Sequence, residues 1–226
     1  MLVSVVMPTL DEATNVRARA AEIARQAGPF EWIVADGGSF DGTVALASSL
    51  GARTIVCPRG RGGQLDAGTR ISGGEIVLFL HADTTLPDGA FAAMRGALDD
   101  ERIVGGNFQL RFTAEGFFSR VLAWSYANQQ RVFGAFFGDS AIFVRRDVFD
   151  ELGGFGGMPL MEDYEFVRRL RRRGRTCRLD LIVTTSSRRF ERRPFRTIVL
   201  WASIMVLYHT GVSPLRLARL YRPHRR

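Results

Sequence analysis

"VLFLHADTTLP", residues 77–87, begins as a buried apolar run and stops at a histidine, an alanine and an aspartate. Strands must end and turns are polar, so a purely structural reading exists. Working outward favours a second reading, in which this strand end carries chemistry. Upstream, "LVSVVMP", "FEWIVADGG" and "ARTIVCP" are three more short apolar runs, and "EIVLFLHAD" is the fourth. Between them lie the helical stretches "DEATNVRARAAEIARQAG", "DGTVALASSLG" and "GQLDAGTRISGG", with another helix predicted from about Asp88 to Leu98. Such alternation marks βαβ units around a parallel sheet covered by helices on both faces. Right-handed crossovers put every strand's C-terminal edge on one side. Pro8–Thr9, Asp36–Gly38, Pro58–Arg59 and His81–Asp83 are therefore expected to line one crevice.

The pattern loosens after residue 100. "IVGGNFQLRF" and "GDSAIFVRR" read as strands and "TCRLDLIVTTSSRRF" as strand-like, while "GFFSRVLAWSYANQQRVF" and "MEDYEFVRRLRRRG" read as helices. The chain of 226 residues suits one α/β domain with a mostly parallel central sheet and an elaborated C-terminal half.

All 31 basic residues are arginine, against 23 acids, and lysine is absent. Without lysine, a Walker-type phosphate loop and Schiff-base catalysis are excluded. The net charge of +8 points to an anionic partner without choosing among nucleotide, phospholipid and nucleic acid. Cys57 and Cys177 fit neither a disulfide framework nor a zinc pattern, which favours a reducing compartment. The N-terminus runs directly into a strand, so no signal peptide is expected and the cytoplasm is the expected location.

Four segments carry candidate chemistry. In "VVMPTLDEA", Thr9 or Asp11 is placed to cap a helix, and Glu12 suits the positive end of its dipole. In "VADGGSFDGT", Asp36 and Asp41 either accept hydrogen bonds from a base or ribose, with Gly37 allowing close approach, or build a turn and an N-cap near Ser39. "CPRGRGGQLDAGTR" places Arg59, Arg61 and accessible glycine amides at a helix start, a combination suited to a diphosphate, although a plain surface loop has the same composition. In "HADTTLP", Asp83 suits a hard divalent cation, Mg²⁺ or Mn²⁺. His81 is a second ligand, a donor to phosphate or a packed imidazole.

A fifth segment, "PLMEDYEF", offers Glu162 and Asp163 at the start of an arginine-rich helix, either as dipole complements or with Asp163 as a general base.

Together these segments resemble glycosyltransferase family 2, the inverting enzymes of the GT-A fold, and look closest to the radical-SAM/selenodomain-associated transferases. The resemblance rests on "PTLDEA", "VADGGSFDGT", "PRGRGGQLDAG", "LFLHADT", "GDSAIFVRR", "GGF…PLMEDYEFVRRLRRRGR" and "TSSRRF", in that order. It implies a single nucleotide-diphospho-sugar transferase domain over residues 1–226: a nucleotide-binding half at 1–100, an acceptor and catalytic half at 101–194 and C-terminal helices at 195–226.

It also implies roles. Pro8, Thr9, Glu12, Asp36, Gly37, Ser39, Asp41, Arg59, Arg61, Gln64 and Ala82 fall in segments that border the donor nucleotide. Asp83 matches the last acid of the metal motif, Asp163 the catalytic base with Glu162 beside it, Gly138 and Asp139 the acceptor side, and Arg188 and Arg189 a distal diphosphate motif. His81 stands where the family places the first metal-motif acid, and Asp11 where asparagine is commoner. The implied partners are a nucleotide-sugar donor, UDP-linked by family habit, and a small-molecule, lipid or peptide hydroxyl acceptor, with no nucleic acid.

"TIVLWASIMVLY", residues 197–208, is apolar but shorter than the roughly 20 residues of a membrane span. It reads either as a core helix or as a peripheral contact with the inner face of the cytoplasmic membrane, with Trp201 and Tyr208 at the interface. His209 is a weaker candidate for a third metal ligand. Two other classes compete with sugar transfer: a sugar nucleotidyltransferase, which usually carries a lysine this chain lacks, and a non-catalytic basic module binding nucleic acid or lipid. Against the latter, the arginines are scattered among acids and RNA-binding signatures are missing.

Overall fold

The computed structural model describes residues 1–113, 136–186 and 194–220. The helix expected from "GFFSRVLAWSYANQQRVF" lies outside the described residues, as do Arg188 and Arg189. Seven strands form one sheet: β1 (Val3–Thr9), β2 (Phe30–Asp36), β3 (Arg53–Val56), β4 (Ile76–Phe79), β5 (Ile103–Phe112), β6 (Ile142–Arg145) and β7 (Arg175–Thr185), in the order β3-β2-β1-β4-β6-β5-β7. Six run in one direction. Only β6 opposes them, pairing antiparallel with both β4 and β5. The chain moves outward from β1 to β3 and then returns to place β4 on β1's other side, so the order reverses between β1 and β4. A reversal of this kind is where open α/β sheets leave room for a ligand, beyond the carboxyl ends of the two strands.

Alternation within the strands builds two cores. Ile76 and Leu78 join Val5, Trp32 and Val34 beneath α1 (Ala13–Ala24), α2 (Thr43–Ser49) and α4 (Ala90–Leu98). Val77 and Phe79 face the other way, joining Val6 and Ile33 beneath α3 (Arg61–Ile71), α5 (Arg146–Glu151) and α6 (Glu162–Arg173). Here Phe79 meets Phe149, Phe155 and Phe166 with ring centroids 5.2, 4.9 and 6.3 Å away. A strand buried on both faces reads as a continuous apolar run, which is why "IVLF" shows no alternation.

The last two helices, α7 (Pro194–His209) and α8 (Pro214–Leu220), form a separate layer that packs Ile204 and Leu217 on Leu160 and Met161, just ahead of α6.

Two expectations need correction. β4 stops at Phe79 instead of running to Asp83; residues 81–84 form a turn closed by Thr84 N–H donating to the His81 carbonyl at 3.1 Å. Neither Thr9 nor Asp11 caps α1. The Ala13 amide donates to Asp41 Oδ2 at 3.0 Å and the Glu12 amide to Thr43 Oγ1 at 2.9 Å, so the cap is supplied by the loop after β2. The Asp11 carboxylate returns the bond by accepting from the Phe40 amide at 2.9 Å.

Candidate active site

The loop after β2 is organised by Asp36, which is fully buried. Its Oδ1 accepts from the Thr9 hydroxyl at 2.8 Å and from the Ser39 hydroxyl, and its Oδ2 accepts from the amides of Gly38 at 2.8 Å and Ser39 at 2.7 Å. Burial alone raises the pKa of this carboxyl, but the hydrogen bonds from Ser39, Thr9 and Gly38 outweigh it and hold it below the ordinary carboxylate value. Asp41 is exposed and likewise depressed: desolvation pushes its pKa up, but the combined donors from Thr43 and Ala13 outweigh it. Gln64, buried on α3, gives its amide hydrogens to the carbonyls of Thr9 and Ala35, both at 2.9 Å. It ties the ends of β1 and β2 to α3. Arg59 stays exposed and donates through Nε to the Gly37 carbonyl at 3.2 Å. Asp36 and Gln64 thus fix the loops at the carboxyl ends of β1 and β2, the loops that also carry Pro8, Glu12, Ser39 and Asp41.

A second cluster forms where α3, the turn after β4, a 3-10 turn at Gly138–Ser140 and α6 begin or end together. β6 runs backwards, so Ile142 pairs with Phe79 and the residues just before it reach the edge where β4 ends. His81 Nδ1 is 3.2 Å from Asp139 Oδ1. Asp163 accepts from the amides of Gly138 and Tyr164, both at 2.8 Å, and its Oδ2 lies 3.6 Å from Arg61 Nη2. Arg61 Nε donates to Glu162 Oε1 in a close ion pair, with Glu162 buried. Burial works against the Arg61 charge, but Glu162, Asp163 and Asp139 outweigh it and hold its pKa above the ordinary arginine value.

Glycine makes this convergence possible. A Cβ on Gly138 would sit 3.1 Å from the His81 ring and 3.3 Å from Asp163 Oδ2, and one on Gly62 would sit 3.2 Å from the Glu162 side chain.

The backbone is strained at the same edge. Asp11, Ala141 and Met161 are the described non-glycine residues with positive φ, at 55°, 53° and 64°, and each adjoins one of these loops. Left-handed geometry costs an L-residue about 1–2 kcal/mol, and such outliers concentrate at functional sites.

His81, Asp139, Asp163, Glu162, Gly138 and Arg61 are thus brought together, with Ala82 buried and Asp83 half-buried in the same turn. Arg61, expected beside a diphosphate, faces Glu162 and Asp163 in this structure. His209 is on α7, where its Nε2 lies 3.0 Å from the Tyr164 hydroxyl. Sequence reasoning missed this pairing and the neighbouring bond from the Tyr208 hydroxyl to Glu165 Oε2 at 2.5 Å. Glu165 and Tyr208 have no motif spacing that reveals them.

Among the described residues, no three His, Cys, Asp or Glu side chains are grouped to hold a metal ion. Asp83 and His81 offer at most two protein donors. The His81 ring lies against Asp139, and the Asp83 carboxylate is near enough to Arg19 on α1 to favour that residue's charged form; a hard cation held at this turn would take most of its oxygens from phosphates and water.

The strand order and the acid cluster at the carboxyl edge define a GT-A nucleotide-diphospho-sugar transferase domain. Residues 4–153 match the model of the family described as Glycosyl transferase family 2, and the chain belongs to that family. Among curated proteins it is 30% identical over 178 residues to the PGL/p-HBAD biosynthesis glycosyltransferases of Mycobacterium bovis and Mycobacterium tuberculosis, covering 72% of this chain and 67% of theirs. Among solved structures it superposes on the mannosyltransferase PcManGT from Pyrobaculum calidifontis, solved with GDP-Man and Mn²⁺, with a TM-score of 0.68 at 20% identity. That match covers 92% of this chain and 62% of the mannosyltransferase. Glucosyl-3-phosphoglycerate synthase from Mycobacterium tuberculosis, solved with Mn²⁺, UDP and glucosyl-3-phosphoglycerate, superposes with a TM-score of 0.61 at 20% identity, covering 93% of this chain and 80% of that one.

Proposed function

We propose that the chain transfers a sugar from a nucleoside-diphosphate donor, a UDP-sugar, to an acceptor hydroxyl with inversion at the anomeric carbon, and that Asp163 is the general base. The observation that carries this reading is the position of the Asp163 carboxylate, fixed by two backbone amides and Arg61 beside His81 and Asp139 at the carboxyl edge of the sheet. Asp163 takes the acceptor hydroxyl's proton while that oxygen attacks the anomeric carbon from the face opposite the diphosphate. The new glycosidic bond forms as the old carbon–oxygen bond breaks, and its electron pair leaves with the nucleoside diphosphate.

Glu162 positions Arg61, whose charge steadies Asp163 and the developing negative charge nearby. The β1 and β2 loops, shaped by Thr9, Asp36 and Gln64, border the nucleotide, with Arg59 available to its phosphates. Asp139 and Gly138 flank the acceptor, and Arg188 and Arg189 are assigned to the diphosphate from the sequence. Asp83 and His81 would hold Mn²⁺ or Mg²⁺, which when bound neutralises charge on the leaving diphosphate.

The test pairs a thermal-shift panel of nucleoside diphosphates and sugar nucleotides, with and without Mn²⁺, with the Asp163→Asn variant. The donor gives the largest stabilisation. Asp163→Asn keeps donor affinity while transfer falls by about 10²–10⁴-fold. Normal turnover in that variant removes Asp163 from the mechanism, and release of pyrophosphate from a nucleoside triphosphate and a sugar phosphate replaces the reaction class.

A further inference from the structure

The excess of positive charge lies at one end of the chain. Residues 188–226 hold ten arginines and a single acid, Glu191, whereas residues 1–187 hold 21 arginines against 22 acids, so the net +8 arises entirely from the C-terminal segment. Within it, α7 and α8 use one side to pack on Leu160 and Met161 and leave the other open. Val199, Ala202, Ser203 and Val206, spaced along one face of α7, are all exposed, the two valines to 64% and 63%. On α8, Leu215 and Leu220 are 67% and 61% exposed and alternate with exposed Arg216 and Arg219.

We propose that α7 and α8 form a docking surface for an anionic phospholipid bilayer. Branched apolar side chains enter the boundary between headgroups and acyl chains, and the interleaved guanidinium groups pair with lipid phosphates. Nucleic acid would use the arginines but has no use for four exposed valines and leucines. Charge of one sign with apolar groups is complementary to a lipid surface on both counts. No described helix is long and apolar enough to cross a membrane, so the pair lies on the surface. Docking also orients the proposed active site. Tyr208 on α7 is hydrogen-bonded to Glu165, and His209 to Tyr164, the residue after Asp163, so α7 is tied directly to the first turn of α6. The surface does not depend on the sugar-transfer reading.

The test is co-sedimentation of the full chain with vesicles of phosphatidylcholine alone and of phosphatidylcholine mixed with phosphatidylglycerol. Binding is expected only to the mixed vesicles and is weakened by salt. Arg216→Gln and Arg219→Gln each lower it about fivefold, following ~1 kcal/mol per arginine near an anionic surface. Val206→Glu with Leu215→Glu lowers it about tenfold or more, with the thermal midpoint unchanged because both positions face solvent. Equal binding to phosphatidylcholine, undiminished binding by the double variant, or a dimer in light scattering that only the double variant dissolves overturns the proposal. Loss of vesicle binding to competing RNA at equal salt overturns it as well. Nucleotide affinity, measured separately, reports on the proposed active site alone.

Discussion

Replacing Asp36 with alanine tests whether this acid holds the loop after β2 or only meets a ligand there. The substitution removes a buried carboxylate that accepts from four donors: the Thr9 and Ser39 hydroxyls and the Gly38 and Ser39 amides. The hydroxyls can turn toward other acceptors, but the two amides are fixed by the backbone. The Gly38 and Ser39 amides are half-buried, so water replaces part of what they lose, while the Thr9 hydroxyl is buried; at about 0.5–1 kcal/mol for each of these three bonds the expected loss is about 2 kcal/mol. At about 2–4 °C per kcal/mol for a chain of this size, the melting temperature falls by roughly 4–8 °C. Asp36→Asn keeps one oxygen for the amides and loses about half as much. The pH profile supplies a second readout. The folded-state pKa of Asp36 is depressed, so its stabilisation is present above the unfolded carboxyl value near 3.9 and is lost as pH falls through the folded value. The alanine variant therefore shows a shallower loss of stability below about pH 4 than the parent. Scanning calorimetry and urea titration measure both. A drop of under about 3 °C in the alanine variant, where 1 kcal/mol is worth about that much, would refute the structural role.

Phe79→Ala opens a cavity among Phe149, Phe155 and Phe166 and is expected to cost about 3–5 kcal/mol in urea titration. Arg61→Gln and Glu162→Gln, measured singly and together, should show a coupling energy of about 1–3 kcal/mol; additive losses would mean the pair does not act as a unit. Gly138→Ala pushes a methyl against the His81 ring and Asp163, so transfer should fall about tenfold or more while stability changes by less than about 1 kcal/mol. Calorimetry should detect Mn²⁺ binding only when a nucleoside diphosphate is present, because the described residues group too few donors to hold the ion alone; tight binding of Mn²⁺ alone contradicts that expectation.

The first half of the fold was legible because each strand–helix repeat is local: apolar runs such as "IVLF" and the helical spacing that follows are fixed by neighbours in sequence. The antiparallel course of β6 was not legible. "IFVR" is too short to state its direction, which is decided by a pairing with β4 across more than sixty residues. The strand-end positions of Thr9, Asp36 and His81 were legible for the same reason as the parallel strands, since their carboxyl ends share an edge. Asp139 and Asp163 reach His81 through the reversed β6 and the start of α6, and were expected there only from the family resemblance. What each residue does there was only partly legible. Asp36 and Gln64 carry the chemistry of ligand contacts, yet their hydrogen bonds are spent on the backbone of adjacent loops, and nothing in their spacing distinguishes the two uses. The bonds that join α7 to α6 connect residues 43 and 45 positions apart through common side chains, and they leave no pattern to read.

The trans capping of α1 has a consequence for how the molecule assembles. A helix that borrows its first acceptors from Asp41 and Thr43 cannot complete its opening turn until a segment some thirty residues downstream has been synthesised and folded back. Hydrogen exchange at the Glu12 and Ala13 amides should then report opening of the β2–α2 connection and not fraying of α1 itself, so that the two βα units gain and lose protection together.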